Sequence, residues 1–397
     1  MSFNFDLPFR AWEQRELSSL LSFSNGINAP KEHYGKGRKM ISVMDILDEK
    51  PVKYEFIRNS VQVDKKIESK NKVEYGDIVF VRSSEVPEEV GWAKAYLEKE
   101  YALYSGFSIR GKKINEFNPY FVELTLNSIN RKQIERKAGG STRFNVSQTI
   151  LSSIELLMPE IEEQNKIDKF FIQLDTTIAL HQRKLDALKL MKKGFLQQMF
   201  PKIEADIPEI RFADFDGKWE QRKLGEIFNE RSERSADGEL ISVTINSGVI
   251  KASKLEKKDN SSFDKSNYKV VKKGDIAYNS MRMWQVASGY SSYDGILSPA
   301  YTVIYPRKDI DTIFIAYMFK KIDMIQTFQR NSQGLTSDTW NLKFPSLSTI
   351  KIKIPANDEQ IKITNLFQKL EYTSILHQNQ IEMLKKVKKA YLQTMFI

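Results

Sequence analysis

Two groups of basic and polar residues have compositions suited to binding nucleic acid. In the first, basic residues from Arg131 to Lys137 lead into Gly139-Gly140-Ser141-Thr142-Arg143-Phe144-Asn145. Glycines let a backbone approach a phosphate closely, hydroxyls and amides donate hydrogen bonds to it, and arginine can pair with guanine through two hydrogen bonds. The alternative is a solvated helix end followed by a turn. The candidates in this group are Arg131, Arg136, Lys137, Ser141, Thr142 and Arg143.

The second group follows a predicted strand at residues 275–278. It reads Asn279-Ser280-Met281-Arg282-Met283-Trp284-Gln285, which is polar, basic and aromatic, as a loop that enters a DNA groove should be. The alternative is that the methionines and Trp284 belong to the core. The candidates here are Asn279, Ser280, Arg282, Trp284 and Gln285. Arg82, Ser83 and Ser84 hold the matching position in the first half, and Gln333, Thr336, Ser337 and Lys343 complete the set.

Residues for catalysis are few. The chain has no cysteine and three histidines, and it lacks the Gly-x-x-x-x-Gly-Lys-Ser/Thr, Gly-x-Gly-x-x-Gly and Gly-x-Ser-x-Gly motifs. Asn118-Pro119-Tyr120-Phe121 resembles the Asn-Pro-Pro-Tyr/Phe motif of amino-methyltransferases, but the second proline is absent, and a helix start is the other interpretation. We therefore predict a non-catalytic chain with no cofactor and no metal of its own.

The candidate groups sit within an internal repeat. Trp12-Glu13-Gln14-Arg15-Glu16-Leu17 returns as Trp219-Glu220-Gln221-Arg222-Lys223-Leu224. Residues 154–200 align with 350–396 without gaps, with 20 identities in 47 positions. Upstream of these tails the spacing between matching residues drifts. The repeat predicts two similar halves about a pseudo-two-fold axis, which suits a target of approximate two-fold symmetry.

The two tails are predicted to be long helices. Apolar residues recur at steps of three and four over four heptads, which is typical of a coiled coil, and the two helices are expected to pack antiparallel. His181 and His377 are equivalent and could form a metal pair, but their neighbours are apolar, which favours a role in fixing register. The predicted seam consists of Phe171, Leu174, His181, Leu185, Leu188, Phe367, Leu370, His377, Ile381 and Leu384.

The segments before the tails are predicted to be α+β. Gly76-Asp77-Ile78 and Gly274-Asp275-Ile276 each indicate a turn that leads into a strand, and residues 119–134 and 315–328 are predicted to be amphipathic helices. We expect a globular domain at residues 1–159, a central spacer helix at 160–200, a linker and second globular domain at 201–355, and a C-terminal spacer helix at 356–397.

Composition narrows the class of protein. The net charge is +10, from 61 lysines and arginines against 51 acids, and it is spread over both halves, which is compatible with a polyanionic partner. No apolar run approaches the roughly 18 residues of a membrane span, and the N-terminus does not look like a secretory signal. With no cysteine, these features lead us to expect a cytoplasmic protein.

With these motifs in this order, the chain resembles the specificity (S) subunit of type I restriction–modification systems. The resemblance rests on the duplicated Trp-Glu-Gln-Arg-x-Leu starts, residues 208–212 with Trp219, the Gly-Asp-Ile strands and Gly-Ser-Thr-Arg-Phe-Asn at 140–145. It rests also on the two Pro-x-x-x-Glu-Gln helices that end in Leu-Gln-x-Met-Phe. It covers essentially the whole chain.

The resemblance implies two target-recognition domains that each read one half of a gapped double-stranded DNA site. It implies that the two helices are a spacer that sets the gap. The partners would be two methyltransferase subunits and two restriction subunits, and only those partners would bind S-adenosylmethionine, ATP and magnesium. The complex would act in DNA methylation and phage defence. The rival interpretations are a coiled-coil scaffold without DNA specificity and a self-sufficient DNA-modifying enzyme.

Overall fold

The computed structural model describes residues 12–140, 142–245, 247–255, 261–336 and 339–396. Two candidate site residues, Ser141 and Ser337, lie outside the described residues. The chain divides into two compact units: the first holds the chain up to His181 and from Gln380 onward, and the second holds Gln182–Asn379. Each unit therefore combines one predicted globular domain with part of each predicted spacer helix.

The first unit is a mixed α+β body. Its strands are β1 (Glu13–Glu16), β2 (Leu21–Asn25), β3 (Tyr34–Ile41), β4 (Asn59–Val61), β5 (Ile78–Val81), β6 (Ser83–Ser84), β7 (Ala93–Ala95), β8 (Leu103–Tyr104), β9 (Ser108–Lys113), β10 (Phe144–Asn145) and β11 (Glu155–Met158). Its α-helices before the first long helix are α1 (Val43–Ile46), α2 (Lys65–Lys70), α3 (Pro119–Asn127), α4 (Arg131–Lys137) and α5 (Gln148–Ser152). The main sheet has the order β2-β9-β5-β7, and a second sheet has the order β4-β3-β8.

The second unit follows the first long helix, α6 (Ile161–Gln198). Its strands are β12 (Glu220–Lys223), β13 (Phe228–Glu230), β14 (Ile241–Thr244), β15 (Gly248–Lys251), β16 (Lys269–Val271), β17 (Ile276–Asn279), β18 (Ser288–Tyr290), β19 (Gly295–Leu297), β20 (Tyr301–Pro306) and β21 (Lys351–Ile354). Its short helices are α7 (Leu224–Ile227), α8 (Thr312–Met318), α9 (Ile322–Asn331) and α10 (Phe344–Ser348), and the second long helix is α11 (Asn357–Thr394). The main sheet has the order β13-β20-β17-β18.

The repeated sequence motifs form equivalent structures in the two units. The Glu-Gln-Arg of each start lies in a short strand that pairs antiparallel with the strand before Pro159 or Pro355, as β1 with β11 and β12 with β21. The tryptophans pack on a phenylalanine two residues beyond the end of a long helix: the ring centres of Trp12 and Phe396 are 6.3 Å apart, and those of Trp219 and Phe200 are 6.1 Å apart. The motifs therefore recur because they tie the beginning of each globular body to the end of a long helix.

The Gly-Asp-Ile motif marks the turn into the central strand of each main sheet. Gly76 and Gly274 have φ angles of +95° and +101°, a conformation that glycine adopts without steric cost. The following aspartate closes the turn, since Asp77 accepts the backbone N–H of Glu74 at 2.9 Å and Asp275 that of Lys272 at 2.8 Å. The motif thus fixes where each strand begins.

In the second unit this aspartate also holds an arginine. Arg231 Nε and Nη2 donate to the two carboxylate oxygens of Asp275 at 2.7 and 2.9 Å, and the hydrogen bond to Asp275 raises the pKa of Arg231. Asp275→Asn is expected to lower the free energy of unfolding of this unit by about 2–3 kcal/mol, because a mostly buried guanidinium loses its carboxylate. Urea unfolding measures the loss.

Asp77→Asn is the matched control for this prediction. Asp77 accepts the backbone N–H groups of Glu74 and Lys113, has no hydrogen-bonded arginine, and has a pKa that burial raises. Its replacement is expected to cost less than about 1 kcal/mol, since no charged partner is left without a hydrogen bond. Equal losses at the two positions would show that the arginine pair contributes nothing.

The long helices confirm the predicted antiparallel pairing within each unit. Both contain 38 residues. In the first unit Phe170 lies 5.0 Å from Tyr391, and Lys388 Nζ donates to Asp175 at 2.6 Å. Residue numbers rise along α6 as they fall along α11, so the helices run in opposite directions. The second unit repeats the pairing, with Lys192 donating to Glu371 at 2.5 Å.

Every predicted seam residue lies on the packed side of its helix. Six of them are buried: Phe171, Leu174, Leu185, Phe367, Leu370 and Ile381. Four are partly buried: His181, Leu188, His377 and Leu384. The burial pattern is that expected for an antiparallel helix pair whose facing sides are apolar.

A tyrosine in each unit attaches the short helix before it to the long-helix pair. Tyr120 in α3 donates to Asp175 at 2.6 Å, and Tyr317 in α8 donates to Glu371 at 2.9 Å. Burial and the adjacent carboxylate raise the pKa of both tyrosines. Each acid thus accepts hydrogen bonds from a lysine of the opposite helix and from a tyrosine of the globular body, which fixes the body on the helices.

The two predicted amphipathic helices are each interrupted. Residues 119–134 fall in α3 and α4, with a break after Asn127, where the Ser128 hydroxyl donates to the Leu124 carbonyl at 2.6 Å. Residues 315–328 fall in α8 and α9, with a break at Phe319. The prediction of single helices was therefore wrong, because turns that the apolar spacing does not reveal divide them. None of the helices in the described ranges is long and apolar enough to cross a membrane.

Candidate nucleic-acid interface

In the first unit, two candidate segments that are about 60 residues apart in sequence pair with each other. Ser83–Ser84 forms an antiparallel pair with Phe144–Asn145, and Gly139 bridges to Asn145 across the glycine loop. The backbone N–H of Val146 also donates to the Arg82 carbonyl at 3.0 Å. We call residues 82–84 and 139–145 the first loop cluster. It lies at the end of the central strand β5, where that strand leaves the sheet.

Glycine is required at the second position of this loop. Gly140 has φ +130°, and a Cβ atom there would lie 2.1 Å from the Arg143 carbonyl oxygen. The loop therefore turns tightly enough to present Thr142 and Arg143 to solvent, and both are exposed. A Cβ atom added at Gly139 would meet no other atom within 4 Å, so this position needs no such freedom.

These two glycines give a matched pair of variants. Gly140→Ala is expected to lower the free energy of unfolding of the first unit by about 1–3 kcal/mol, because the loop must shift to admit a side chain at a strained φ. Gly139→Ala is expected to change it by less than about 0.5 kcal/mol. Thermal unfolding of both variants gives the comparison, and hydrogen exchange at Asn145 reports the loop itself. A Gly139→Ala variant that is as destabilised as Gly140→Ala would contradict the assigned loop geometry.

An aromatic residue that sequence reasoning missed completes the first loop cluster. The guanidinium of Arg143 lies 5.6 Å from the ring centre of Phe107, which is 54% exposed. Phe107 is held in place by its carbonyl, which accepts the backbone N–H of Arg82 at 2.9 Å. An exposed aromatic ring beside an arginine supplies a stacking surface for a base. Only its position after a glycine could have drawn attention to Phe107 in the sequence.

The basic residues of α4 differ in their surroundings. Arg131 is buried: its Nε donates to Glu135 at 3.0 Å and its Nη2 donates to the carbonyls of Val90 and Pro87. Lys137 donates to the Ser153 carbonyl at 2.7 Å, while Arg136 is exposed. Arg131 therefore has a structural role in holding α4, and we leave it out of the interface. Arg136 and Lys137 remain accessible beside the loop.

The second unit contains an equivalent pair of loops. Gln333 and Asn341 form an antiparallel bridge, and the backbone N–H of Leu342 donates to the Ser280 carbonyl at 2.8 Å, as Val146 does to Arg82. Trp284 and Trp340 pack edge to face at 5.4 Å. We call residues 279–285 and 333–343 the second loop cluster. Like the first, it lies where the central strand of the main sheet, β17, ends.

A glycine with positive φ again turns the second of these loops. Gly334 has φ +139°, and a Cβ atom there would lie 2.6 Å from the Thr339 carbonyl oxygen. Thr339 Oγ1 accepts the backbone N–H of Thr336 at 3.1 Å, which closes the loop internally. The loop is the structural counterpart of the Gly140 loop, and it repeats the Gly-x-Thr at the start of that loop and the aromatic–asparagine pair at its end.

The candidates in the second loop cluster divide by exposure. Ser280 is buried and its hydroxyl contacts Thr302 Oγ1 at 2.7 Å, so it supports the loop. Met283 is also buried, as the core interpretation predicted. Trp284, Gln285 and Asn279 are partly buried. The exposed candidates are Arg282, Gln333, Thr336 and Lys343.

The motif at residues 118–121, which resembles part of a methyltransferase active site, has a structural role. Asn118 caps α3, since its side chain accepts the backbone N–H of Phe121 at 3.0 Å, and its own backbone N–H donates to Gln164 at 2.9 Å. The Asn-Pro-Tyr-Phe stretch is thus a helix start. Among the residues that the structure describes, no group of three or more histidines and acids is placed to hold a metal ion.

Comparison with protein families gives a match over most of the chain. Residues 11–190 and 216–386 each match the type I restriction modification DNA specificity domain. A putative type I restriction enzyme MjaX specificity subunit from Methanocaldococcus jannaschii is 26% identical over 225 residues, which are 54% of this chain and 52% of that protein. The chain thus spans about half the length of the curated relative that it matches.

Solved structures share the fold over the full length of the chain. The crystal structure of a type I restriction–modification S subunit from M. genitalium matches with a TM-score of 0.58 at 16% identity and covers 100% of this chain and 98% of that one. The HsdS subunit from Thermoanaerobacter tengcongensis matches with a TM-score of 0.51 at 14% identity, covering 99% and 98%. A structure described as a basis for complex assembly and conformational transition of the type I R-M system matches with a TM-score of 0.54 at 13% identity, covering 98% and 99%.

Proposed function

The chain belongs to the family of type I restriction modification DNA specificity domains, and from this premise we propose that it is the DNA-reading subunit of such a complex. In this proposal the first and second units each read one half of a gapped double-stranded DNA site. The first loop cluster would contact one half and the second loop cluster the other.

The equivalence of the two loop clusters is the observation that carries this proposal. Each cluster lies at the end of the central strand of its main sheet and is closed by a glycine with positive φ. Each also exposes at least one arginine, Arg143 or Arg282. Exposed arginines beside polar loops suit contacts with guanine edges and phosphates, which supply specificity and affinity respectively. Different side chains on equivalent loops suit two half-sites of different sequence.

Partner subunits would carry the chemistry. We propose that two methyltransferase subunits and two restriction subunits assemble on this chain, and that they bind S-adenosylmethionine, ATP and magnesium. This chain would contribute no catalytic group, in line with its sparse set of nucleophiles and acid–base residues. We place the complex in the cytoplasm, where the DNA to be modified or cleaved would be found.

Selection of bound duplexes from random DNA tests the proposal. The chain is purified with its methyltransferase partner, and bound sequences are recovered at about 0.15 M salt, where non-specific phosphate binding is weakened. We expect one motif of two short specified segments separated by a gap of fixed length. A complex that binds DNA without sequence preference, or not at all, would support a scaffold role and overturn the proposal.

A further inference from the structure

The second loop cluster exposes a leucine and a methionine, whereas an apolar residue exposed beside the first loop cluster is the aromatic Phe107. Leu335, at the turn that follows Gly334, is fully exposed, with a relative accessibility of 102%, and Met281 is 49% exposed. The described residues at the corresponding turn of the first loop cluster are polar or charged, namely Thr142 and Arg143. The two clusters therefore share a backbone arrangement and differ in the chemistry that they present.

A hydrogen bond and ring packing join the loops that carry these two side chains. The indole Nε1 of Trp284 donates to the Met281 carbonyl at 3.1 Å, and Trp284 packs against Trp340. Trp340 and Leu335 lie in the same loop, which the Gln333–Asn341 bridge closes. Met281 and Leu335 therefore lie in two loops that are joined to each other through the tryptophan pair.

The backbone holds Leu335 outward. Gly334 makes the turn, and Thr336 on the other side is tied to Thr339 by hydrogen bonds at 3.1 and 2.9 Å. A leucine fixed in water gains nothing in the free protein, whereas it gains free energy when an apolar group covers it. The two loops contain Arg282 and Lys343 against one acid, Asp338, so a polyanion is the partner that their charge favours.

Among the base edges in the major groove of DNA, only thymine carries a methyl group. Resting on the proposed function, we propose that Leu335 reads the 5-methyl group of a thymine in the half-site contacted by the second unit. The same loop cluster would then contact the half-site through Arg282 and an A·T pair of that half-site through Leu335. The first unit has polar or charged side chains, Thr142 and Arg143, at the described part of the corresponding turn, and it would read its half-site through Arg143, Phe107 and polar groups.

Uracil substitution tests this inference, because it removes the thymine methyl group and nothing else. The complex of this chain with its methyltransferase partner is titrated with duplexes in which each thymine of the recognised motif is replaced in turn by uracil. At one position in one half-site, the loss of affinity is expected to be about fourfold, the value of one buried methyl group.

Variants of Leu335 connect the effect to this side chain. Leu335→Ala should bind the thymine and uracil duplexes of that position equally, while uracil effects elsewhere stay unchanged. Leu335→Met should retain the preference for thymine, because it keeps an apolar side chain of similar reach. Both substitutions lie at an exposed turn and leave the core intact.

Two results would overturn the inference alone. One is a sequence-specific complex in which Leu335→Ala keeps the full preference for thymine at every position. The other is a motif whose half-site for the second unit, identified by the effect of Arg282→Ala, has no thymine on either strand. A complex with no sequence preference would overturn the proposed function as well, so the two failures are distinguishable.

Discussion

Replacing Arg143 and Arg282 together by alanine is expected to abolish methylation of the recognised site, with a loss of DNA affinity of about 30-fold or more. A bidentate arginine–guanine contact is worth about 1–3 kcal/mol, or roughly 5-fold to 150-fold in affinity, and the two losses should multiply because the contacts lie in separate units. Both side chains are exposed, Arg143 in the loop that Gly140 turns and Arg282 in the loop that follows β17. Titration of the purified complex with its own motif measures the loss.

The single variants should separate the two halves of the site. Arg143→Ala is expected to relax sequence preference in one half-site only, and Arg282→Ala in the other only. Lys308→Ala is the matched control. Lys308 is exposed just beyond the end of β20, at the end of the main sheet that is away from the second loop cluster. It removes one positive charge and should leave the motif unchanged. If Lys308→Ala relaxes the motif as Arg282→Ala does, the loop clusters are not the reading surfaces.

Adding seven residues to each long helix is expected to widen the gap of the recognised motif by about three base pairs. Seven helical residues add about 10 Å, and base pairs are spaced by about 3.4 Å. A heptad preserves the apolar spacing of the seam, so the helices can still pack. Insertions after His181 and after Asn379, where the two units meet in sequence, would both be made in one chain. Methylation mapping then reads the gap directly.

A control insertion distinguishes helix length from chain length. Seven residues placed after Gly217, which has φ +72° and open space around its Cβ position, lengthen the segment between the halves without touching either helix. The gap should then stay the same. An unchanged gap after the helix insertions, in a complex that still methylates, would refute the idea that the helices measure the site.

The long helices and the strand starts were predictable because their signals are local. Apolar steps of three and four define a helix face, and the turn before each Gly-Asp-Ile strand needs glycine and a carboxylate in adjacent positions. The equal length of the tails also followed from the constant spacing of their identical residues. In these cases the residues that form an element are close together in the sequence.

The loop clusters needed the structure because their contacts are distant. Pairing of Ser83–Ser84 with Phe144–Asn145 joins segments about 60 residues apart, and no local pattern reveals it. The Gly334 loop could not be recognised in the sequence as the counterpart of the Gly140 loop, because two additional residues lie between its glycine and its asparagine. Arg131 looked like its basic neighbours in sequence, yet it is buried against the carbonyls of Pro87 and Val90.

Adenine methylation mapped across the genome of cells that express this chain with its methyltransferase partner tests the central claim most directly. The account predicts methylation at a single motif of two unlike half-sites separated by a fixed gap, and its loss in the Arg143→Ala, Arg282→Ala double variant while the subunits still copurify. Methylation at an ungapped motif, or at the unchanged motif in the double variant, would contradict it.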